Sequence, residues 1–198
     1  MTGARDLKAF VSSAVRSPGV IGAIAPSGRA LSDLLASVVS ASEPSTVVEL
    51  GPGTGVVSAA LRRRLPPEAR HVAVELDPGM VIHLRATLPW LEVLQGNAID
   101  LQKLLADAGI TRADAVVSGL PWTLFPATAQ EGIIEQVTWV LAPGALFTTF
   151  AYSHVTRLSG QRRFRALLER SFDEVTVTPT VWRNVPPALA YRCRHRVG

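Results

Sequence analysis

The stretch Val47-Val48-Glu49-Leu50-Gly51-Pro52-Gly53-Thr54-Gly55-Val56 sets the fold of this chain. Thr46, Val47, Val48 and Leu50 are β-branched or apolar and read as a buried strand. The residues from Val56 to Arg64, VVSAALRRR, carry apolar positions that suit a helix packed on that strand. The glycines therefore lie between a strand and a helix, where backbone without Cβ atoms lets a ligand come close. Their spacing is G-x-G-x-G, not the G-x-G-x-x-G of dinucleotide sites. Glu49 stands at the strand end, and Pro52 stiffens the turn.

An acid beside such a loop repels a pyrophosphate and suits a ligand with positive charge. S-adenosylmethionine fits, because it carries a sulfonium and an ammonium and no phosphate. A second signal follows in His71-Val72-Ala73-Val74-Glu75-Leu76-Asp77-Pro78, a short apolar strand ending in acids. Glu75 follows Gly55 by about twenty residues, the spacing at which an acid grips ribose hydroxyls in a Rossmann-type unit. The expected cofactor contacts are Glu49, Gly51, Gly53, Thr54, Gly55, Glu75 and Leu76.

Composition bounds the rest. The chain has 198 residues, 47% of them hydrophobic, enough for one well-buried core. Two lysines, Lys8 and Lys103, stand against eighteen arginines, and the net charge is +4. That excess is compatible with phosphate-bearing partners, lipid headgroups or RNA, and equally with a solvated basic surface. A lone cysteine, Cys193, excludes an intramolecular disulfide, and histidines at 71, 83, 154 and 195 have no paired metal-ligand spacing. No metal is expected. Arg5, Asp6 and Lys8 interrupt any signal-peptide-like core near the N-terminus, so a cytoplasmic location is expected. The uncharged run from Gln136 to Tyr152 is cut by Pro143-Gly144 into a helix end and a strand, and is not read as a membrane span.

Strands and helices alternate, which argues for a mostly parallel sheet with helices on both faces. Expected strands are 46–50, 71–75, 92–95, 114–118, 145–151, 173–178 and 188–195. Expected helices are 5–16, 28–41, 56–64, 78–87, 100–107, 126–140 and 160–170. No helix separates the last two strands, so the 179–187 connection permits an antiparallel pair. Seven strands with an antiparallel finish match the class I methyltransferase sheet, a Rossmann-like fold. Ligands in such sheets bind at the strands' carboxyl ends, which directs attention to Glu49, Glu75, Asn97 and Ser118. Asn97, with Ala98 after it, is a candidate for the adenine edge or a turn residue after glycine; Asp100 suits a helix cap.

Four segments resemble the bacterial phospholipid N-methyltransferases, soluble-fold enzymes that methylate phosphatidylethanolamine. They are RSPGVIGAIAPS at 16–27, VVELGPGTG at 47–55, VSGLPW at 117–122 and VWRNVPPALAYR at 181–192. The glycine loop is shared by many methyltransferases; the other three segments are more specific. The resemblance implies a class I fold, S-adenosylmethionine as methyl donor and an aminolipid acceptor at an anionic membrane surface. The chain is also similar to the fold-related ribosomal RNA adenine dimethylases. Those carry an N-L-P-Y type motif after strand four, where this chain has Ser118-Gly119-Leu120-Pro121-Trp122. Losing the asparagine argues against a base target, and no second domain for gripping RNA is expected, so DNA and RNA are set aside as partners. Asn97 departs from the aspartate that many class I enzymes place there.

The acceptor residues are sought past strands four and five. Trp122 is a candidate aromatic wall for a cationic headgroup, or a side chain packed under a helix. Tyr152 and His154 end strand five over the pocket and are the catalytic candidates; His154 reads equally as a loop histidine in water. For a lipid phosphate, Arg183 and Arg29 offer guanidinium forks, with Ser27 beside them. Leu7, Phe10, Val11, Ala14 and Val15 fall on one face of the expected first helix, with Lys8, Ser12 and Arg16 off it. Residues 1–27 read as an amphipathic membrane-docking helix and lid, or more plainly as a helix packed on the domain, and 28–198 as the methyltransferase domain. A soluble small-molecule acceptor, an RNA adenine and a cofactor-binding protein without catalysis are the rival readings.

Overall fold

In the computed structural model, the residues described are 28–39, 45–156 and 159–196. Seven strands form one sheet: β1 (Thr46–Leu50), β2 (Arg70–Glu75), β3 (Glu92–Gln95), β4 (Ala113–Ser118), β5 (Leu141–Tyr152), β6 (Glu174–Val177) and β7 (Ala188–Arg194). Their order is β3-β2-β1-β4-β5-β7-β6. The first five are parallel, and β7 runs antiparallel between β5 and β6. Six described helices accompany them: α1 (Arg29–Ala36), α2 (Val56–Arg64), α3 (Pro78–Thr87), α4 (Leu101–Asp107), α5 (Ala127–Val140) and α6 (Ser159–Ser171).

Side-chain alternation along the strands divides the core between two faces. Val48, Leu50, Val72, Val74, Val116 and Phe147 pack with α4, α5 and α6. Val47, Ala115, Val117, Ala188 and Ala190 pack with α1 and α2, and Ala73 and Val93 with α3. A parallel sheet covered on both faces needs strands apolar on both faces, which is why the runs near 47 and 115 are almost continuously hydrophobic. Each fully buried leucine, such as Leu50 or Leu101, contributes on the order of 2 kcal/mol.

Three boundaries depart from expectation. β5 begins at Leu141, before the Pro143-Gly144 pair that was expected to precede it. Gly144 takes a left-handed conformation (φ 76°), and the register jumps from Ala113↔Leu141 to Ala115↔Leu146. The pair is absorbed as a bulge instead of separating two elements. Helix α1 stops at Ala36, where the Ser37 hydroxyl and amide both donate to the Leu34 carbonyl, at 2.6 and 3.1 Å, a local alternative to continued helix. Asp100 makes no side-chain cap on α4. Asn97 instead accepts from Ile99 N–H at 3.3 Å and caps the 3-10 turn before it.

The helix expected at 5–16, the lid segment and Ser27 lie outside the described residues. Among the described residues, no helix is long and apolar enough to cross a membrane and no cluster of metal-binding side chains occurs. Cys193 is buried, and burial pushes its thiol up to about 12, so it stays protonated.

Candidate cofactor and acceptor site

The glycine loop leaves the carboxyl end of β1 with Gly51, Gly53 and Gly55 all in left-handed conformations, at φ 67°, 55° and 83°. L-residues are strained there by roughly 1–2 kcal/mol each, so the three glycines are a backbone requirement. They differ in what surrounds them. A Cβ on Gly51 would lie 2.8 Å from Leu120, and one on Gly55 2.4 Å from Leu88. A Cβ on Gly53 would meet nothing within 4 Å. Gly53 thus faces open space at the sheet's carboxyl edge, and Thr54 beside it is exposed.

Glu75 ends β2 next to this loop. It is 6% exposed. Its Oε1 accepts from Asp77 N–H at 2.9 Å, and its Oε2 from Gly53 N–H at 3.4 Å. Burial pushes its pKa above the ordinary carboxylate range, and these backbone bonds pull only partly back. A buried carboxylate whose Oε2 is held only by a long bond keeps lone pairs free for hydroxyl donors. Beside it, Leu76 packs on the α4–α6 core and Ala98 is buried. The Asn97 side chain is 4% exposed, and its Nδ2 has no partner. Such a buried orphan donor is costly unless an acceptor meets it, and adenine ring nitrogens are acceptors. Gly53, Glu75 and Asn97 together fit a nucleoside with an extended charged tail.

Two expected cofactor contacts also hold the loops in place. Glu49 shares the parity of Val47 and points under α2, only 1% exposed. Its Oε2 accepts from the Ser58 hydroxyl at 2.7 Å and lies 3.1 Å from His71 Nε2. Through Oε2 it ties α2 and β2 to β1 beneath the loop, while its buried Oε1 has no partner among the described residues. Ser118 is fully buried; its Oγ accepts from Leu120 N–H at 3.2 Å, shaping the turn after β4.

That turn contains a residue the sequence reading passed over. Gly119 N–H donates to Leu50 O at 2.8 Å, and a Cβ on Gly119 would sit 2.6 Å from the Gly51 carbonyl. The loops after β1 and β4 touch backbone to backbone here. The signal was present as a glycine in a motif position otherwise held by asparagine.

Trp122 is corrected from headgroup wall to core. It is 2% exposed, stacked on Phe164 at 4.5 Å and edge-on to Phe125 and Phe147. Its indole N–H donates to Thr149 Oγ at 2.8 Å, and the Thr149 hydroxyl donates to Ser118 O at 3.1 Å. Gln130 Nε2 donates to the Trp122 carbonyl at 2.6 Å. A buried indole needs a partner for its N–H, and the β5 threonine supplies it.

The residues expected on the acceptor side gather at the carboxyl end of β5. Tyr152 pairs with Ala188 of β7 and packs on the α1–α2 side of the sheet. Its ring lies 5.9 Å from that of exposed His154, nearly parallel, and edge-on to Phe150 at 5.4 Å. Burial raises the Tyr152 pKa, so the phenol is protonated at neutral pH. Because β7 is antiparallel, the 179–187 connection returns to this same edge: Ser153 N–H donates to Pro187 O at 2.8 Å. Asn184, 3% exposed, pins it further. Its Oδ1 accepts from Gly28 N–H at 2.7 Å and its Nδ2 donates to Pro186 O at 2.7 Å. Sequence reading assigned Asn184 nothing, yet it joins the start of α1 to the 179–187 connection. Arg29 and Arg183, each next to one end of that bond, are both exposed. Tyr152, His154, Arg29 and Arg183 therefore share the carboxyl edge of the sheet.

Comparison with known proteins agrees with this geometry. The family model for the methyltransferase domain matches residues 47–144. An ornithine lipid N-methyltransferase from Singulisphaera acidiphila is 35% identical over 195 residues, 96% of each chain. A ribosomal RNA small subunit methyltransferase A from Acidithiobacillus ferrooxidans is 37% identical over 92 residues, 44% of this chain and 33% of that protein. Among solved structures, the O-methyltransferase TomG from Streptomyces achromogenes, in complex with S-adenosylmethionine, superposes with a TM-score of 0.66 at 20% identity, over 94% of this chain and 89% of that one. At that identity it speaks for the fold. With the full-length relative, the matched domain and a loop-and-acid site of this shape, the chain belongs to the bacterial lipid N-methyltransferases, enzymes of the class I S-adenosylmethionine-dependent fold.

Proposed function

We propose that this enzyme methylates the headgroup amine of an aminolipid at an anionic membrane surface, with phosphatidylethanolamine and ornithine lipids as the acceptor class. The observation that carries the reading is the end-to-end similarity to an ornithine lipid N-methyltransferase. The geometry is compatible with it. A lipid headgroup of this class pairs an amine with an anion, phosphate or carboxylate, and Arg183 and Arg29 offer guanidinium groups that bind either in bidentate fashion.

S-adenosylmethionine, when bound, supplies an electrophilic methyl on its sulfonium. The chain's residues supply position and the acceptor's free lone pair. Gly53 gives room, Glu75 takes the ribose hydroxyls and Asn97 meets the adenine. An aliphatic ammonium has a pKa near 10.4, so freeing its lone pair at neutral pH costs roughly 4–5 kcal/mol. Tyr152 keeps its proton, so its role is to orient the amine by hydrogen bonding. His154, stacked beside it and open to water, carries the released proton away in this reading. An RNA base is disfavoured, because Gly119 has no room for the asparagine side chain that the base-methylating motif uses.

The test incubates the enzyme with methyl-labelled cofactor and, separately, phosphatidylethanolamine vesicles, ornithine-lipid vesicles, a pool of small soluble amines and ribosomal RNA. Label in the lipid fractions is expected. Label confined to the soluble amines or to RNA would overturn the reading. Residues 1–16, expected from sequence as an amphipathic helix, are proposed as one membrane anchor; their deletion should reduce sedimentation with anionic vesicles.

A further inference from the structure

Three tryptophans reach the surface, and two of them are covered. Trp90, 36% exposed, has Arg62 over its ring at 5.6 Å and His71 at 6.0 Å. Trp139, 49% exposed, lies under Arg112 at 5.3 Å. Trp182 is 77% exposed and makes no ring contact or cation–π contact with the described residues. Three positions on, Val185 is 79% exposed. Between them Asn184 is buried and bonded at both ends of its amide. The loop is held on its other flanks too: Val181 N–H donates to Ala188 O, and Asn184 N–H to Val181 O at 3.2 Å. A tightly fastened loop thus turns one polar side chain inward and two large apolar ones outward. Isolated exposed apolar residues, such as Ile82 on α3, are ordinary. A paired Trp and Val on a pinned loop are not.

The charges that border the loop directly are arginines. Arg183 is exposed between Trp182 and Asn184, with no ion-pair partner among the described residues. The Arg29 side chain is 85% exposed across the Asn184–Gly28 bond, 3.9 Å from Asp33, which itself is tied to Arg63 at 2.6 Å. The connection 179–187, PTVWRNVPP, contains no acid. Tryptophan beside arginine is the pattern of a bilayer interface. The indole sits at headgroup depth, and cations beside it are drawn to an anionic surface. The loop also lies on the edge where Tyr152 stands.

We propose that the 181–187 loop docks the enzyme on an anionic bilayer, with Trp182 and Val185 inserted at the interface and Arg183 and Arg29 at the level of the lipid anions. The inference rests on the aminolipid reading for its biological sense, and it names a second anchor, independent of residues 1–16. It also fixes orientation: an inserted loop holds the carboxyl edge of the sheet against the headgroups, so an amine has only to rise toward Tyr152.

The experiment uses the full chain and vesicles of phosphatidylcholine with and without phosphatidylglycerol, some carrying bromine on the acyl chains. Wild-type protein should sediment with the anionic vesicles, and its tryptophan emission should be quenched by bromine. Trp182→Phe should bind but lose most of the quenching. The double variant Trp182→Ser, Val185→Ser should lose about ten-fold or more in vesicle partitioning, from the apolar area no longer buried. Both side chains are exposed, so its melting temperature should be unchanged. Its methylation of detergent-dispersed aminolipid should also be unchanged, while that of vesicle-borne lipid falls. Undiminished partitioning of the double variant, or quenching that persists in Trp182→Phe, would overturn the docking. A wild-type dimer that the double variant converts to monomer would overturn it too, assigning the loop to self-association. Loop-dependent binding to vesicles whose lipids never take up methyl would leave docking intact and remove the aminolipid reading instead.

Discussion

Replacing Glu75 by Gln separates the cofactor role of this carboxylate from its structural one, because the two respond in opposite directions. In the ligand-free protein, burial raises the Glu75 pKa. The sign follows from linkage: a carboxyl raised on folding lends stability below the ordinary carboxylate pKa and loses it as pH rises through the raised value. At neutral pH the buried charge is therefore a net cost, only partly offset by the N–H groups of Asp77 and Gly53. Glu75→Gln removes the charge and keeps the volume, so the melting temperature without ligand should stay level or rise. Cofactor binding should move the other way. Two ribose hydroxyls donating to a carboxylate are worth about 1.5–3 kcal/mol each, and a neutral amide retains one ordinary acceptor. A net loss of about 1.5–3 kcal/mol corresponds to a dissociation constant raised roughly ten- to 150-fold. The pH profile gives a further check. Bound hydroxyls favour the anion, so wild-type affinity should fall as pH drops through the raised pKa, beginning above the usual carboxylate range near pH 4.3. The variant should be flat over the same window. Calorimetry at neutral pH and about pH 5, with thermal melts alongside, measures all of this. A folded Glu75→Gln enzyme with affinity within about two-fold of wild type would refute the reasoning, as would a wild-type affinity indifferent to pH.

Gly53→Val should fold, at a cost of about 1–2 kcal/mol for its left-handed backbone, yet show no cofactor binding by calorimetry, since its side chain enters the open space beside the loop. Gly119→Ala should lower both melting temperature and cofactor affinity, because its Cβ would press on the Gly51 carbonyl at 2.6 Å; an unchanged affinity would detach the β4 turn from the site. Trp122→Phe should lose about 1–3 kcal/mol in chemical denaturation by leaving Thr149 without its donor, with the Michaelis constant for lipid unchanged; a raised Michaelis constant would return Trp122 to the headgroup. Tyr152→Phe should lower turnover on lipid while leaving cofactor affinity alone, and a silent variant would assign the ring to packing only.

The alternation of strands and helices, the glycine loop and the Glu75 spacing were legible in the sequence because they are local. A β-branched run, a left-handed turn and an acid a fixed distance on are consequences of backbone geometry within one βαβ unit. The antiparallel finish was legible for the same reason, since a nine-residue connection without a helix leaves β6 and β7 little else to do. What the sequence could not decide was where polar side chains point. Glu49 and Glu75 look alike as acids ending apolar strands, yet Glu49 bonds Ser58 and His71 through Oε2 under α2, while Glu75 turns Oε2 toward Gly53 and Oε1 toward Asp77. Trp122 looked available until Thr149, 27 residues away, supplied its indole with a buried acceptor. Asn184 carried no local signal for its role, and Gly119 only that of a glycine where a related motif has asparagine. One bonds Gly28 across 156 positions and the other abuts the Gly51 carbonyl. Such contacts are fixed by how the sheet brings distant loops to its carboxyl edge. A side chain's burial and its partner's identity are set by that long-range packing, which no stretch of sequence contains.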